Sequence, residues 1–139
     1  MKTSLFDGVL KRIVRRGSRS RNGIQRAMNA RTTLALEKWV MDKDFCLVET
    51  MDEIADRLGI SKSQLSDYCH VVVRDNFPTW RKKLRIMEAQ RLWKEDPSLT
   101  VVMVAALVGI QDKSNFRRQF FEVTGQNVSK WLGELKDRV

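Results

Sequence analysis

Two cysteines and a single histidine cannot furnish a four-ligand Cys/His zinc site. Two prolines and seven glycines leave little material for the many turns of a β-sandwich or barrel. No stretch approaches the ~18 consecutive apolar residues of a membrane span, and the N-terminus lacks the uncharged apolar core of a signal peptide, so a reducing cytoplasm is the expected setting. There is no glycine-rich phosphate loop and no acid pair placed by a motif, and the lone His70 is expected on an exposed helix face. These absences speak against an enzyme and call for no cofactor and no metal. What remains is a chain of 139 residues with an ordinary 42% hydrophobic content, long enough to bury roughly two-thirds of its unfolded surface without cross-links. A soluble, mostly helical protein is expected, with no small-molecule pocket evident.

The formal charge of +9 is unevenly distributed. Residues 1–31 hold nine Lys/Arg and one Asp, net +8, whereas residues 32–139 hold 17 basic and 16 acidic residues, net +1. The excess lies in a leader, so the remainder must show affinity for a polyanion by where its charges sit. Within the leader, Leu5, Phe6, Val9, Leu10, Ile13 and Val14 have helical spacing opposite Lys11, Arg12, Arg15 and Arg16, a basic amphipathic segment. Gly17-Ser-Arg-Ser-Arg-Asn-Gly23 reads as a linker.

A helix from about Ile24 or Arg31 to Met41 is expected to carry Leu34, Leu36, Trp39 and Val40 inward. Thr50-Met-Asp-Glu53 has the capping-box form, so a helix starts there, with Ile54, Ala55 and Leu58 inward, and ends at Gly59. Ser61-Lys-Ser-Gln64 is a second box opening a helix with a stripe of Leu65, Tyr68, Cys69 and Val72. Cys69 is expected to be a small buried hydrophobe rather than a redox centre. A longer helix begins beside Pro78, runs through Trp80, Leu84, Met87, Ala89 and Leu92, and stops at Asp96-Pro97. Thr100 caps a helix with Val104, Ala105 and Val108 inward, Gly109 ends it, and a helix from near Asp112 turns Phe116, Phe120 and Val123 inward. Gly125 and Val128 lead into a last helix with Trp131 and Leu135.

The chain repeats itself. Thr50/Thr100, Ile54/Val104, Ala55/Ala105, Leu58/Val108, Gly59/Gly109 and Ile60/Ile110 match at an offset of 50; Leu65/Phe116, Cys69/Phe120, Val72/Val123, Asn76/Asn127, Trp80/Trp131 and Leu84/Leu135 match at 51. Ala-x-x-x-Gly followed six residues later by an apolar residue is the spacing of a helix-turn-helix: the small Ala lets two helices cross closely, and Gly makes the turn. Trp80 and Trp131, recurring at one repeat position, are expected in the core.

Residues 50–136 resemble the DNA-binding domain of the AraC/XylS family of transcription regulators. The likeness is carried by Ile54-Ala55, Gly59-Ile-Ser, Leu65-Ser66 and Tyr68, then Leu84-Arg85-Ile86, Ala89 and Leu92, then Val104-Ala105, Gly109-Ile110, Asp112, Ser114, Phe116, Arg118, Phe120-Phe121, Gly125 and Trp131. The resemblance implies an all-α fold of about seven helices: two helix-turn-helix subdomains, near 50–72 and 100–123, joined by a long linker helix near 78–95, with 1–31 as the basic leader and 32–139 as the DNA-binding domain. It also implies double-stranded DNA as partner, RNA polymerase as a further one, a place at the nucleoid, and in longer members a sensor region that this chain does not contain. Three departures stand out. Arg74 occupies the place of a family glycine, so Asp75 or Asn76 is expected to take the positive φ of that turn. Val128 replaces a usual proline. Asp67 stands where a basic or polar reader is common, and a carboxylate there repels phosphate unless it accepts from a cytosine amine.

The outward residues of the two second helices are the candidate DNA contacts: Lys62, Ser63, Ser66 and Asp67 in the first, Lys113, Ser114, Arg117 and Arg118 in the second. The bland counterpart is a solvated helix face, and Arg118 has bracing of the helix pair as a second role open to it. Ser61, Lys82 and Lys83 are candidate phosphate contacts, the two lysines being equally suited to keeping the linker helix soluble. A module of another class stays open, in which the amphipathic leader docks on an anionic membrane or a partner protein and the repeat is a scaffold.

Overall fold

The computed structural model describes residues 29–138. The leader segment from Leu5 to Val14 and the Gly17–Gly23 linker lie outside the described residues. Seven α-helices and no strand occur among the described residues. They are α1 (Ala30–Met41), α2 (Met51–Leu58), α3 (Lys62–Tyr68), α4 (Phe77–Glu95), α5 (Val101–Leu107), α6 (Lys113–Thr124) and α7 (Val128–Asp137). No helix among them is long and apolar enough to cross a membrane.

The helix starts are written in the local sequence. Thr50 accepts from the Glu53 amide at 3.1 Å while Glu53 accepts from the Thr50 amide at 2.8 Å, and Ser61 and Gln64 repeat the reciprocal pair at 3.0 and 2.8 Å. Asn76, Asp112 and Asn127 each cap through a side-chain oxygen on the amide three residues on. The turns are equally local: Gly59, Gly109 and Gly125 all take positive φ.

Among the described residues two compact units result: one of 29–44 together with Glu49–Trp80, the other of Phe45–Val48 with 81–138. In the first, Leu36, Trp39, Ile54, Ala55, Leu65, Tyr68, Cys69, Val72 and Trp80 are buried. Trp39 lies 5.7 Å from Phe77 and 5.3 Å from Trp80, ring centre to ring centre. Burial pushes the Cys69 thiol up to about 12, so it stays protonated and inert at neutral pH. In the second unit Trp93 holds the same place, with Phe116, Phe120 and Trp131 at 5.9, 6.3 and 6.1 Å, and its indole N–H donates to Leu99 O at 2.8 Å.

The repeat therefore extends upstream of Thr50. Thr32/Ile86 and Trp39/Trp93 are equivalent buried pairs at an offset of 54, because eight residues separate α1 from the Thr50 cap and only four separate α4 from the Thr100 cap. Each unit is a helix, a helix-turn-helix and a further helix; α4 closes the first unit with its first turn and opens the second with its remainder.

Two sequence expectations need correction. Leu34 is 65% exposed rather than inward, because Thr32 and Trp39 fill that side of α1, and on α4 Met87 is likewise exposed while Ile86 and Trp93 are buried. The positive φ after α3 falls on Arg74 itself, at 69°, not on Asp75 or Asn76. There α3 runs on into a wider π-type turn, Cys69–Val73, and the Arg74 amide returns to Cys69 O at 2.6 Å. Arg74 thus adopts the conformation that Gly125 adopts in the second unit, at a strain of about 1–2 kcal/mol.

Candidate nucleic-acid interface

In both units the second helix of the helix-turn-helix is amphipathic in the sense a groove-binding element requires. Along α3, its cap and the turn that continues it, Leu65, Tyr68, Cys69 and Val72 are buried, while Ser61, Lys62, Ser63 and His70 are exposed and Ser66 and Asp67 are half-buried. The outward charges are one cation and one anion, and Lys62 Nζ is held 3.3 Å from Asp52 Oδ1. A surface pair of this kind is weak and exchangeable.

On α6, Phe116 and Phe120 are fully buried and Lys113, Ser114, Arg117 and Arg118 are exposed. Arg118 donates to Asn115 Oδ1 and lies 3.7 Å from Glu122 Oε2; Glu122 Oε1 also takes Lys82 Nζ at 3.2 Å. Glu122 thereby holds one arginine and one lysine of the candidate set in a small network; both partners of Arg118 lie on its own helix, and it is Lys82 that links Glu122 to α4. Arg117 has no hydrogen bond or ion pair among the described residues, so its guanidinium fork is available. Lys83 is exposed and Lys82 half-buried. The face of α6 carries three cations against Glu122, whereas that of α3 is balanced.

The second turn is held from behind by Arg85. Its guanidinium donates to Phe45 O at 2.6 Å and Leu47 O at 2.8 Å, and burial, with Arg81 beside it, pushes its pKa down to about 10, leaving it charged at neutral pH. Cys46 O comes so close to Gly109 that a Cβ there would lie 2.1 Å away. The Gly109 turn, and with it the start of α6, is thus anchored by a segment more than sixty residues earlier.

Sequence reasoning missed Asn115, Phe121 and Glu122 at this face. Glu122 could have been found from its i+4 spacing to Arg118. Phe121, 57% exposed, stands one turn beyond Arg117, and the adjacent Phe120 gives it the look of a core aromatic in the sequence. Among the described residues no group of three His, Cys, Asp or Glu is placed to hold a metal ion.

A family model described as a helix-turn-helix domain matches residues 54–134 of the chain. Comparison with curated proteins and with solved structures finds no match. The match begins within α2 and ends within α7, so it takes in both helix-turn-helix motifs and the helix between them.

Proposed function

This chain belongs to the AraC/XylS-type helix-turn-helix family, a family of DNA-binding transcription regulators, and on that premise we propose that it reads two adjacent major-groove segments with α3 and α6. The observation that carries this reading is the one-sided chemistry of α6: two aromatic rings wholly buried on one side, a run of cations and a serine on the other. Arg117, with a free fork, is the base reader, suited to a bidentate contact with guanine. Lys113 and Ser114, in the first turn of the helix, address base edges or the adjacent phosphate, and Arg118 reaches phosphate while Asn115 and Glu122 set its direction.

On α3, Ser63 and Ser66 are the polar readers and Lys62 a phosphate contact. Asp67 discriminates by accepting from a cytosine amine and repelling phosphate elsewhere. Ser61, Lys82 and Lys83 are backbone contacts, Lys82 by exchanging Glu122 for a phosphate. The basic leader supplies affinity without sequence preference. In this reading the protein is no enzyme, works at the nucleoid in the cytoplasm, and acts on RNA polymerase, under the direction of a sensor region where one is attached.

Selection of bound duplexes from a random pool, followed by footprinting, tests the proposal. The expected result is a monomer protecting two major-groove segments about one helical turn (~34 Å) apart in a non-palindromic site. A strictly palindromic site bound only by dimers would overturn the two-helix reading. Retention on heparin with no preference among duplexes would instead favour a docking module that uses its charge alone.

A further inference from the structure

With α6 taken as the groove-facing helix of the preceding reading, we propose that Phe121 is a specificity-determining residue that recognises a thymine by its 5-methyl group. A singly exposed apolar side chain needs no explanation of its own. Phe121 differs in its setting. At 3.6 residues per turn, Ser114, Arg117, Arg118 and Phe121 fall within an arc of about 100°, with Phe121 near its middle. The core aromatics Phe116 and Phe120 lie on the other side at 0% exposure, while Phe121 is 57% exposed. The only exposed aromatic ring of the helix therefore stands among its cations rather than beside its core.

Phe121 lies about 10 Å along the axis from Ser114, roughly three base-pair steps of duplex. A helix lying in the groove with Ser114 and Arg117 at base edges carries Phe121 to the edge of a base pair further on. A phenyl ring offers no hydrogen bond there. The one apolar group that a major-groove edge presents is the thymine methyl, and contact with it discriminates thymine from cytosine and from the purines. In the free protein Lys82 and Arg118 are engaged by Glu122, the residue next to Phe121.

The selected duplex supplies the test, with each thymine replaced in turn by deoxyuridine, which deletes only the methyl. For the unaltered protein, one replacement in the segment read by α6 is expected to weaken binding about fourfold, the factor for withdrawing one buried carbon. Phe121→Ala should bind the thymine duplex that much more weakly and show no further loss with deoxyuridine at that position. Phe121→Leu, which keeps an apolar tip, should retain part of the methyl preference, and both variants should melt as the parent does because the ring is outside the core. If the unaltered protein selects a sequence yet ignores every methyl, or Phe121→Ala keeps the full methyl preference, Phe121 does not read thymine while the groove-facing role of α6 stands. If no duplex is preferred and Arg117→Ala changes nothing, both fall together.

Discussion

Helices α2 and α5 occupy the same place in the two units, and their inner faces are interchangeable while their outer faces are not. Ile54 and Ala55 match Val104 and Ala105, all four buried. Outside, Asp52, Glu53, Asp56 and Arg57 are replaced by Val102, Met103, Ala106 and Leu107, so that α5 carries no charge at all. Its outer side chains Val102, Met103 and Leu107 are 59%, 49% and 55% exposed. The inner face must let a second helix cross at close range, which admits only small or branched apolar residues; water imposes no comparable restriction on the outer face. The helices are consequently stabilised by different means. In α2 a complete capping box and two acids in the first turn act locally, and Arg57 is bound by Glu49 and Asp44 at 2.8 and 3.1 Å. In α5 Thr100 makes the single cap bond to the Met103 amide, and the rest depends on packing and on the Gly109 turn.

The largest effect should separate the two turn glycines. Gly109→Ala puts a Cβ 2.1 Å from Cys46 O on a backbone at φ 85°, so left-handed strain and overpacking add to roughly 2–5 kcal/mol of lost stability. Gly59→Ala meets only the flexible end of Arg31 at 3.0 Å and should lose about 1–2 kcal/mol. Urea unfolding of both variants checks the order, and equal losses would mean that Cys46 yields freely.

Next in size is the asymmetry of the two proposed reading faces. Arg117→Ala should weaken binding by about 1–3 kcal/mol and relax preference at one base, measured by titration of duplexes mutated one position at a time. Arg118→Ala should weaken all sequences alike, and Asp67→Ala should strengthen non-specific binding. A Ser63/Ser66 double alanine that abolishes binding while an Arg117/Arg118 double alanine binds normally would reverse the division of labour.

A smaller difference tests the shared left-handed residue. Gly125→Ala meets nothing within 4 Å, so its loss of about 1 kcal/mol is conformational alone. Arg74→Gly should recover up to about 1 kcal/mol, less whatever its side-chain contacts contribute. Thermal melts of the two variants should move in opposite directions. The smallest change equalises the caps: Met103→Glu completes the box of α5 at a position already exposed and should add about 0.5–1 kcal/mol, whereas Glu53→Met should remove a similar amount from α2.

Caps and turns were legible because each is decided within three or four residues: Thr50 with Glu53, Ser61 with Gln64, Asp112 ahead of Asn115. The self-match from Thr50 onward located the helix-turn-helix pair for the same reason. The equivalence of Trp39 and Trp93 was not legible, since connections of different length break the register and a tryptophan in a polar neighbourhood gives no clue to which unit it centres. Of the candidate site, the outward residues of α3 and α6 followed from the apolar stripe, since what lies off the stripe is turned from the core, although Ser66 and Asp67 are half-buried. That Arg118 and Lys82 share Glu122 while Arg117 does not could not follow, because Lys82 and Glu122 are forty residues apart and only the folded unit brings them to 3.2 Å.

The sequence by itself determined where the capped helices from Thr50 onward begin, which face of each is apolar, and that the arrangement occurs twice, because these depend on hydrogen bonds and periodicities spanning a few residues. The tertiary structure alone decided which apolar residues are core, burying Thr32 and leaving Leu34 and Met87 in water, since burial depends on what stands opposite. It also decided that Arg74 takes a left-handed conformation, because the Cys69–Val73 turn fixes the path of the chain into α4 whatever residue stands there. In the same way Gly109 is held to glycine by the carbonyl of Cys46, a neighbour brought near by folding and not by sequence.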